Sequence, residues 1–392
     1  MIRRFGLRNF KGHRDTELEL GRLTLLVGDN ASGKTSVLEA LLFQAEVAED
    51  PVWMLDQAAL LRDWQRRQSS SGVISMHTDG EISPADRGLP PAPPAPWTTR
   101  IELSVDEPPP YSASPPRGHA RLTGLNEQPQ LRGLHVQRPL SAEASWDFSN
   151  AIPQAWGAPG WDSIAELFGV TKLFRLDAAA IAAAAYSDAA VVPIETDGTN
   201  TAVALAAMKL ADDDAFQRIE RDLRQIVPSV ERVRLNRVKV QHPTAEAEVI
   251  GNKLAFDFRG ALGVPAEGAS RGTLIVLALL TLLHRSNRPD LILLDDFDHA
   301  LHPRAQMELV RMLKRLLAIE DFRDVQIVAT THSPYVLDQL DPSDIYAFAL
   351  REDGTVASKR LSEHPDAEKT RGSLKAGQLW SLDPEQDWVL KG

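Results

Sequence analysis

The chain has 392 residues, of which 43% are hydrophobic and 25% charged, and its formal net charge is −11 at pH 7. This length allows one large domain or two ordinary ones, and the hydrophobic content is enough for a proper core. The chain has no cysteine, which excludes a disulfide framework and a thiolate metal site. The negative charge argues against a protein that coats nucleic acid with its whole surface.

Two segments bear on membrane association. Residues 1–6 carry charge but no apolar core, so they do not predict a secretory signal. The longest apolar run, residues 274–283, is too short to cross a bilayer. We therefore expect a cytoplasmic protein with no membrane partner.

The N-terminal region contains a complete phosphate-loop pattern, G-x-x-x-x-G-K-[ST], at residues 28–35. It follows two predicted strands, 2–10 and 16–20, and stands between a buried strand at 23–27 and a helix at 36–48. This context places backbone N–H groups and a helix N-terminus around a triphosphate. Lys34 would reach the β- and γ-phosphates, and Thr35 would hold Mg²⁺. The residues expected to bind the nucleotide are Gly28, Asn30, Ser32, Gly33, Lys34, Thr35 and Ser36.

Residues 51–165 differ in composition from the rest of the chain. Proline crowds residues 89–96 and 108–110, and six of the eight tryptophans lie between Trp53 and Trp161. Such a stretch does not favour regular helix, so we expect much of it to be loop, with a strand at 99–105. It is interpreted as an ordered insertion in a nucleotide-binding core. Its aromatic side chains suit a docking surface for a partner or a second copy, and core packing within the insertion is an equal alternative.

Regular structure is predicted again from about residue 173. Strands and helices alternate there, which predicts a parallel sheet with helices packed on it. The expected strands are 173–176, 230–240, 246–258, 291–294 and 325–330. The expected helices are 178–190, 201–210, 215–227, 271–284, 304–318 and 333–340.

Three later segments carry candidate chemistry. The apolar run 291–294 ends in Asp295, which would bind Mg²⁺ through water, and Asp296, which would orient or deprotonate an attacking water. His332 follows the next predicted strand, where its imidazole N–H can donate to a γ-phosphate. Before the apolar helix stand Ser270 and Gly272, which suit an anion-binding helix N-terminus, although by themselves they are better explained as a plain glycine-serine cap.

The order and spacing of these motifs resemble the ABC-type ATPases of the SMC, RecF and OLD group. Residues 7–11 look like the N-terminal "NF-K" strand of that group, 295–303 like its acid strand and D-loop, and 331–337 like its switch-histidine segment. The resemblance covers roughly residues 1–50 and 165–350. It is closest to stand-alone AAA-type ATPases of the OLD group, many of which belong to phage-defence systems.

The resemblance implies an α/β fold of the P-loop NTPase type, with an ABC-type two-lobe ATPase head and a mixed sheet flanked by helices. Residues 1–50 would form the first part of the core and 51–165 the Pro/Trp-rich insertion. Residues 166–350 would form the second part of the core and 351–392 a C-terminal extension.

The resemblance also implies ATP and Mg²⁺ as cofactors and an ATP-dependent homodimer or higher oligomer. Ser270 and Gly272 would close on the γ-phosphate held by the partner chain, and hydrolysis would release the two heads. The implied catalytic residues are Lys34, Asp296 and His332, and the implied Mg²⁺ ligands are Thr35 and Asp295. The expected task is a nucleic-acid-related process such as phage defence or DNA repair, with a separate effector or nuclease.

The chain departs from the family pattern at three points. Asp296 stands where the family usually has Glu, and the shorter side chain makes slow hydrolysis a hypothesis. Arg271, at the centre of the signature 269–273, either adds positive charge near the cross-site phosphate or points to solvent. The family's Q-loop glutamine is not identified, with Gln44 and Gln137 as candidates.

Two alternatives stay open. A scaffold that holds ATP without turnover is favoured by Asp296, and a transporter ATPase subunit is disfavoured by residues 9–11 and by the unusual signature. A DNA or RNA contact would be sought at two basic clusters, for which ordinary solvated faces are the alternative. These clusters are Arg3, Arg4, Arg8, Lys11 and Arg14, and Arg218, Arg221, Arg224, Arg232, Arg234, Arg237 and Lys239.

Overall fold

The structure is a computed structural model that describes residues 1–49, 73–82, 95–106, 117–125, 140–147, 168–189, 191–242 and 246–391. Its strands are β1 (Ile2–Phe10), β2 (His13–Glu19), β3 (Leu23–Gly28), β4 (Val73–Ile82), β5 (Ala95–Asp106), β6 (Arg117–Leu125), β7 (Leu140–Asp147), β8 (Thr171–Phe174), β9 (Val230–Gln241), β10 (Glu248–Phe258), β11 (Ala261–Pro265), β12 (Leu291–Leu294), β13 (Gln326–Thr330), β14 (Ile345–Leu350) and β15 (Val356–Arg360). Its helices are α1 (Lys34–Glu49), α2 (Ala178–Ala182), α3 (Thr201–Ala211), α4 (Asp213–Ile226), α5 (Arg271–Leu283), α6 (Pro303–Leu317), α7 (Pro334–Leu337), α8 (Ala376–Trp380) and α9 (Glu385–Trp388).

A six-stranded sheet with the order β15-β14-β3-β13-β12-β8 forms the centre of the structure. Its neighbours pair in parallel, except that β15 runs antiparallel to β14. Every residue of β3, β12 and β13 is buried. Strands covered on both faces read as continuous apolar runs rather than as alternating patterns, which is why residues 291–294 carry only Leu and Ile. The carboxyl ends of these three strands meet at one edge of the sheet.

Helix α5 lies in the core because its sequence is apolar on every side. All of its residues after Arg271 are buried, and it packs against α2, α3 and α4. Helix α4 instead buries a single stripe that includes Phe216, Ile219 and Leu223. Asp212 caps α4, since its carboxylate accepts a hydrogen bond from the Ala215 N–H at 2.9 Å.

A second sheet has the order β2-β1-β4-β5-β6-β7 and is antiparallel throughout. Strands β4 to β7 all fall within residues 51–165, where only the strand at 99–105 is predicted from the sequence, and that strand lies inside β5. Of the prolines in this region only Pro96 falls within a described strand. Every other residue of these strands keeps the backbone N–H group that sheet hydrogen bonds require. The docking surface expected in this region includes tryptophans 53, 64, 156 and 161, which lie outside the described residues.

Two buried glutamines join the antiparallel sheet to the core. Gln326 at the start of β13 donates from Nε2 to the carbonyl oxygens of Ile2 and Gly21, each at 2.8 Å, and its Oε1 accepts from the Ile2 N–H at 3.0 Å. Gln44 of α1 donates to Thr99 Oγ1 at 3.1 Å and accepts from Thr78 Oγ1 at 2.6 Å. The amide of Gln44 thus bonds to β4 and β5, which argues against Gln44 as the Q-loop glutamine. Gln137 lies outside the described residues.

The predicted helix at 178–190 is too long, because α2 ends at Ala182. Ala183 is extended, with a ψ of 147°. Ala185 then exchanges two backbone hydrogen bonds with Asn252 of β10, at 3.0 and 2.8 Å. A tertiary partner for the backbone thus overrides the helix propensity of the alanines. Helix α7 is likewise shorter than the predicted 333–340.

Residues 351–391 contain strand β15 and helices α8 and α9, which pack on the core. Strand β15 extends the central sheet, and Trp388 of α9 is only 3% exposed. At Gly377 in α8, an added Cβ would stand 2.0 Å from the carbonyl oxygen of Pro334, so α8 lies directly against α7. The division into residues 1–50, 51–165, 166–350 and 351–392 stays a prediction.

Replacing Gln326 with Ala tests how the two sheets are joined. The change leaves the N–H and C=O of Ile2 and the carbonyl of Gly21 without this partner, and each buried polar group left unpaired costs about 1–3 kcal/mol. We expect Gln326→Ala to lower the free energy of unfolding by about 2–4 kcal/mol, measured by urea denaturation. The exposed Gln225→Ala is the control, with an expected change within about 0.5 kcal/mol. Equal effects of the two substitutions would contradict this account.

Candidate functional site

The phosphate loop joins β3 to α1 at the carboxyl edge of the central sheet. Gly28 and Gly33 have φ values of +143° and +97°, and a Cβ on Gly28 would lie 2.3 Å from the Phe348 carbonyl oxygen. The loop therefore needs glycine at both positions. Lys34 Nζ donates to the carbonyl oxygens of Gly28 and Asp29, at 2.9 and 2.7 Å. Its ammonium thus lies over the loop that would hold the phosphates.

The other predicted loop residues occupy distinct positions. Asn30 is exposed at the loop tip, beside Ala31 with a φ of +63°, while Ser32 is buried and its Oγ lies 3.4 Å from Lys34 Nζ. Ser36 is the third residue of α1 and is half-buried. The helix N-terminus and the loop therefore surround one small region, as the motif predicts.

Thr35 and Asp295 meet through a hydrogen bond of 3.0 Å from the threonine hydroxyl to Asp295 Oδ1. Thr330 at the end of β13 donates to the same oxygen at 2.8 Å, and its hydroxyl accepts from the Asp296 N–H at 2.8 Å. A hydroxyl and carboxylates at this spacing are the hard oxygen ligands that Mg²⁺ prefers. The residues present therefore fit Mg²⁺ with a bound triphosphate.

Asp296 and His332 face each other across the ends of β12 and β13, with His332 Nε2 and Asp296 Oδ1 3.8 Å apart. Both side chains are about half exposed, at 56% for Asp296 and 41% for His332. Desolvation and the nearby Lys34 charge lower the pKa of His332, although Asp296 opposes this shift. A neutral imidazole keeps one N–H donor at neutral pH.

Burial also lowers the pKa of Lys34, and the surrounding carboxylates oppose this shift. Glu385 of α9 is one of these carboxylates, although it lies far from the motifs in the sequence. Its side chain is buried and accepts a hydrogen bond from Trp380 Nε1 at 2.7 Å. No motif at residues 376–388 signals this placement.

Ser270 and Gly272 lie at the N-terminus of α5 and contact a different part of the chain. Ser270 is exposed, and its Oγ accepts from the Thr273 N–H at 3.1 Å, so it caps the helix. A Cβ on Gly272 would meet the Ala300 carbonyl oxygen at 2.8 Å and Leu301 Cδ2 at 2.7 Å. Gly272 therefore packs on the loop after the acids, whereas Ser270 and Arg271 are exposed.

A buried hydrogen-bond network links that loop to the segment of His332. Thr331 Oγ1 donates to Asp298 Oδ2 at 2.9 Å and accepts from the Ser333 N–H at 3.0 Å. Ser333 Oγ donates to Gln306 Oε1 at 2.7 Å, and Gln306 Nε2 donates to the Asp298 carbonyl oxygen at 3.0 Å. Burial raises the pKa of Asp298 to about 6. The network fixes Asp298 and Thr331 as one unit.

His13 bonds to the backbone of the phosphate loop, and no sequence motif marks it. Its ring is buried, with Nε2 3.1 Å from the Gly33 carbonyl oxygen and Nδ1 2.9 Å from Thr16 Oγ1. Because a carbonyl can only accept, Nε2 bears the hydrogen and Nδ1 accepts from the threonine. Burial lowers the pKa of His13 to about 4.

Most members of the basic clusters that we can place are paired with carboxylates. Such pairing reduces the positive potential available to a nucleic-acid backbone. A DNA or RNA contact at these clusters stays a prediction. The pairs are Arg3–Glu81, Arg4–Glu19, Arg8–Asp15, Lys11–Glu39, Arg218–Asp212, Arg224–Glu220, Arg234–Asp257 and Lys239–Glu248.

The mixed central sheet, the phosphate loop and the acid pair on the neighbouring strands define a P-loop NTPase fold of the AAA ATPase class. The chain belongs to the family described as "AAA domain, putative AbiEii toxin, Type IV TA system", whose model matches residues 133–338. A second model, described as an AAA ATPase domain, matches residues 1–69.

The fold is similar to solved structures of Smc heads. A SmcHead bound to the C-winged helix domain of ScpA matches with a TM-score of 0.55 and 14% identity, over 92% of this chain and 98% of that one. An Smc head domain with an extended coiled coil, bound to the C-terminal domain of ScpA derived from Pyrococcus furiosus, matches with a TM-score of 0.53 and 14% identity, over 94% and 99%. These fold likenesses cover more of the chain than residues 1–50 and 165–350, on which the sequence resemblance rests.

A curated relative matches over a short stretch. Septu protein PtuA of Bacillus thuringiensis is 34% identical over 71 residues, which are 18% of this chain and 17% of that protein. The match therefore spans about a sixth of that relative's length. In the part of the chain that the structure describes, no helix is both long and apolar enough to cross a membrane.

The low pKa of His13 predicts a pH-dependent stability. Below about pH 6.5 the unfolded chain protonates this histidine, whereas the folded protein does so only near pH 4. The free energy of unfolding should therefore fall as the pH drops from about 6.5 to about 4, by on the order of 3 kcal/mol. His13→Gln keeps a donor for the Gly33 carbonyl and should remove this contribution from urea-unfolding curves measured across that range.

The exposed His299→Gln is the matched control and should keep the wild-type pH profile. Stability profiles of wild type and His13→Gln that stay parallel between pH 6.5 and pH 4 would show that His13 is not held neutral by its burial.

Proposed function

We propose that the chain binds ATP with Mg²⁺ and hydrolyses it at a composite interface between two copies, and that this cycle gates a phage-defence process carried out with a separate effector. The observation that supports this most is the convergence of Lys34, Thr35, Asp295, Asp296 and His332 at one sheet edge. These residue types are the parts that phosphoryl transfer needs: a cation, metal ligands, a base and a donor.

Each side chain has a defined task in this proposal. Thr35 and Asp295 would hold Mg²⁺, which with ATP bound supplies charge neutralisation at the phosphates. Lys34 would leave its loop carbonyls to neutralise phosphate oxygens. Asp296 would orient the attacking water and accept its proton, and the neutral His332 would donate from its N–H to the γ-phosphate region.

The composite interface rests on the exposed N-terminus of α5. Ser270 is solvent-exposed, whereas Gly272 packs on the loop that follows the acid pair. A helix N-terminus stabilises an anion, and the Ser270 hydroxyl, which bonds Thr273 in this structure, would turn to a second copy's γ-phosphate at this position. ADP lacks that phosphate and would not support closure.

The task in defence is supported by the resemblance to OLD-group ATPases and by the match to Septu protein PtuA. An effector or nuclease would be a separate protein. A scaffold that holds ATP without turnover is the second candidate, favoured by the short and half-exposed side chain of Asp296.

Mass measurement tests the assembly step. We expect the mass of the 43.2-kDa chain to double with ATP and Mg²⁺ and to stay monomeric with ADP or no nucleotide, by light scattering after gel filtration. Lys34→Ala should abolish the shift, because the phosphates lose their main cation. Lys369→Ala, an exposed lysine outside the site, should dimerise like the wild type. An identical mass in every nucleotide state would favour a scaffold or a constitutive oligomer.

Replacing Asp296 with Glu tests the slow-hydrolysis hypothesis. The added methylene brings the carboxylate closer to the water, so the single-turnover rate should rise roughly tenfold or more, since small misplacements are costly. Asp296 has a φ of +48°, which Asp tolerates better than Glu, so a small loss of stability should accompany the gain. Asp296→Asn should lower the rate. An unchanged or lower rate for Asp296→Glu would reject the hypothesis.

A further inference from the structure

Strand register places an arginine beside the predicted Mg²⁺ ligand. Phe174 of β8 lies opposite Leu294 of β12, and the Asp295 N–H donates to the Phe174 carbonyl oxygen at 3.0 Å. The next residues of the two parallel strands, Arg175 and Asp295, are therefore neighbours at the sheet edge. The Arg175 N–H donates to the Thr196 carbonyl oxygen at 2.9 Å, which fixes its backbone there.

The guanidinium of Arg175 binds two carboxylates of the site. Its Nε donates to Asp295 Oδ2 at 3.0 Å, and one Nη donates to Glu39 Oε1 at 3.1 Å. Because the hydroxyls of Thr35 and Thr330 already occupy Asp295 Oδ1, Arg175 occupies the remaining oxygen of the carboxylate. The Arg175 side chain is 54% exposed, so it is free to take another position without opening the core.

Glu39 of α1 holds this arginine on the edge of the phosphate site. Its other oxygen pairs with Lys11, so one carboxylate serves two cations. A triphosphate competes well for such cations, because an arginine fork binds phosphate oxygens in a bidentate, charge-assisted manner. Mg²⁺ near Asp295 would in addition repel the guanidinium from that carboxylate.

We propose that Arg175 is a specificity-determining residue for the triphosphate, an inference that rests on the proposed function. In the nucleotide-free protein it occupies Asp295 and Glu39. When Mg²⁺ and ATP bind, the guanidinium leaves Asp295 and contacts the γ-phosphate. ADP offers no γ-phosphate to compensate for the lost ion pair with Asp295, so Arg175 favours ATP over ADP.

Equilibrium binding of ATPγS and ADP, measured by calorimetry with Mg²⁺ present, tests this role without turnover. Arg175→Gln should weaken ATPγS binding about tenfold, because one charge-assisted contact is lost, and should leave ADP binding within about twofold. Arg175→Lys keeps the charge but not the fork and should give an intermediate loss. Arg311→Gln, a similarly exposed arginine paired with Glu308, is the matched control and should bind both nucleotides like the wild type.

Glu39→Gln supplies a second, opposite readout. It removes one carboxylate that holds Arg175, so ATPγS should bind about two- to fivefold more tightly. Equal losses for ATPγS and ADP in Arg175→Gln, or no loss in either, would overturn the inference while the proposed ATP site stands. A wild-type protein that binds neither nucleotide would overturn the proposed function as well.

Discussion

Burial of the central parallel sheet is the constraint on which the site depends. Strands β3, β12 and β13 are covered on both faces, so their apolar side chains fix the register, and their first polar residues emerge at the same edge. Asp295 reaches Thr35 because of this register, although 260 positions separate them in the chain. Hydrophobic packing thereby sets the distances on which the candidate chemistry relies.

The polar groups at that edge satisfy one another in the described structure. Thr330 serves both acids, Lys34 bonds its own loop, and Arg175 neutralises Asp295. Removing a charge-assisted contact inside a partly buried site costs more than at the surface, so ligand binding must replace each contact it breaks. A nucleotide that binds together with a divalent ion meets this condition better when it carries more phosphate oxygens.

Local patterns predicted the strand, loop and helix around residues 28–35 and the positions of Asp295 and His332, because each motif is set by a few adjacent residues. The long-range pairings were not predictable in the same way. Strands β4 to β7 join β1 across a proline-rich stretch whose composition favours loop. His13 and Arg175 gain their positions from tertiary contacts and strand register, and neither carries a local pattern of its own.

Residues of α8 also fix the position of the segment that contains His332. Gly377 permits α8 to lie against Pro334, and its N–H donates to Asp338 Oδ1 at 2.9 Å, so the turn after His332 is held from outside the sheet. On the inner side, Thr331 is bound to Asp298. The segment of His332 therefore lies between two such contacts. The loop that follows Asp298 packs on Gly272, so a continuous set of contacts joins the segment of His332 to the N-terminus of α5.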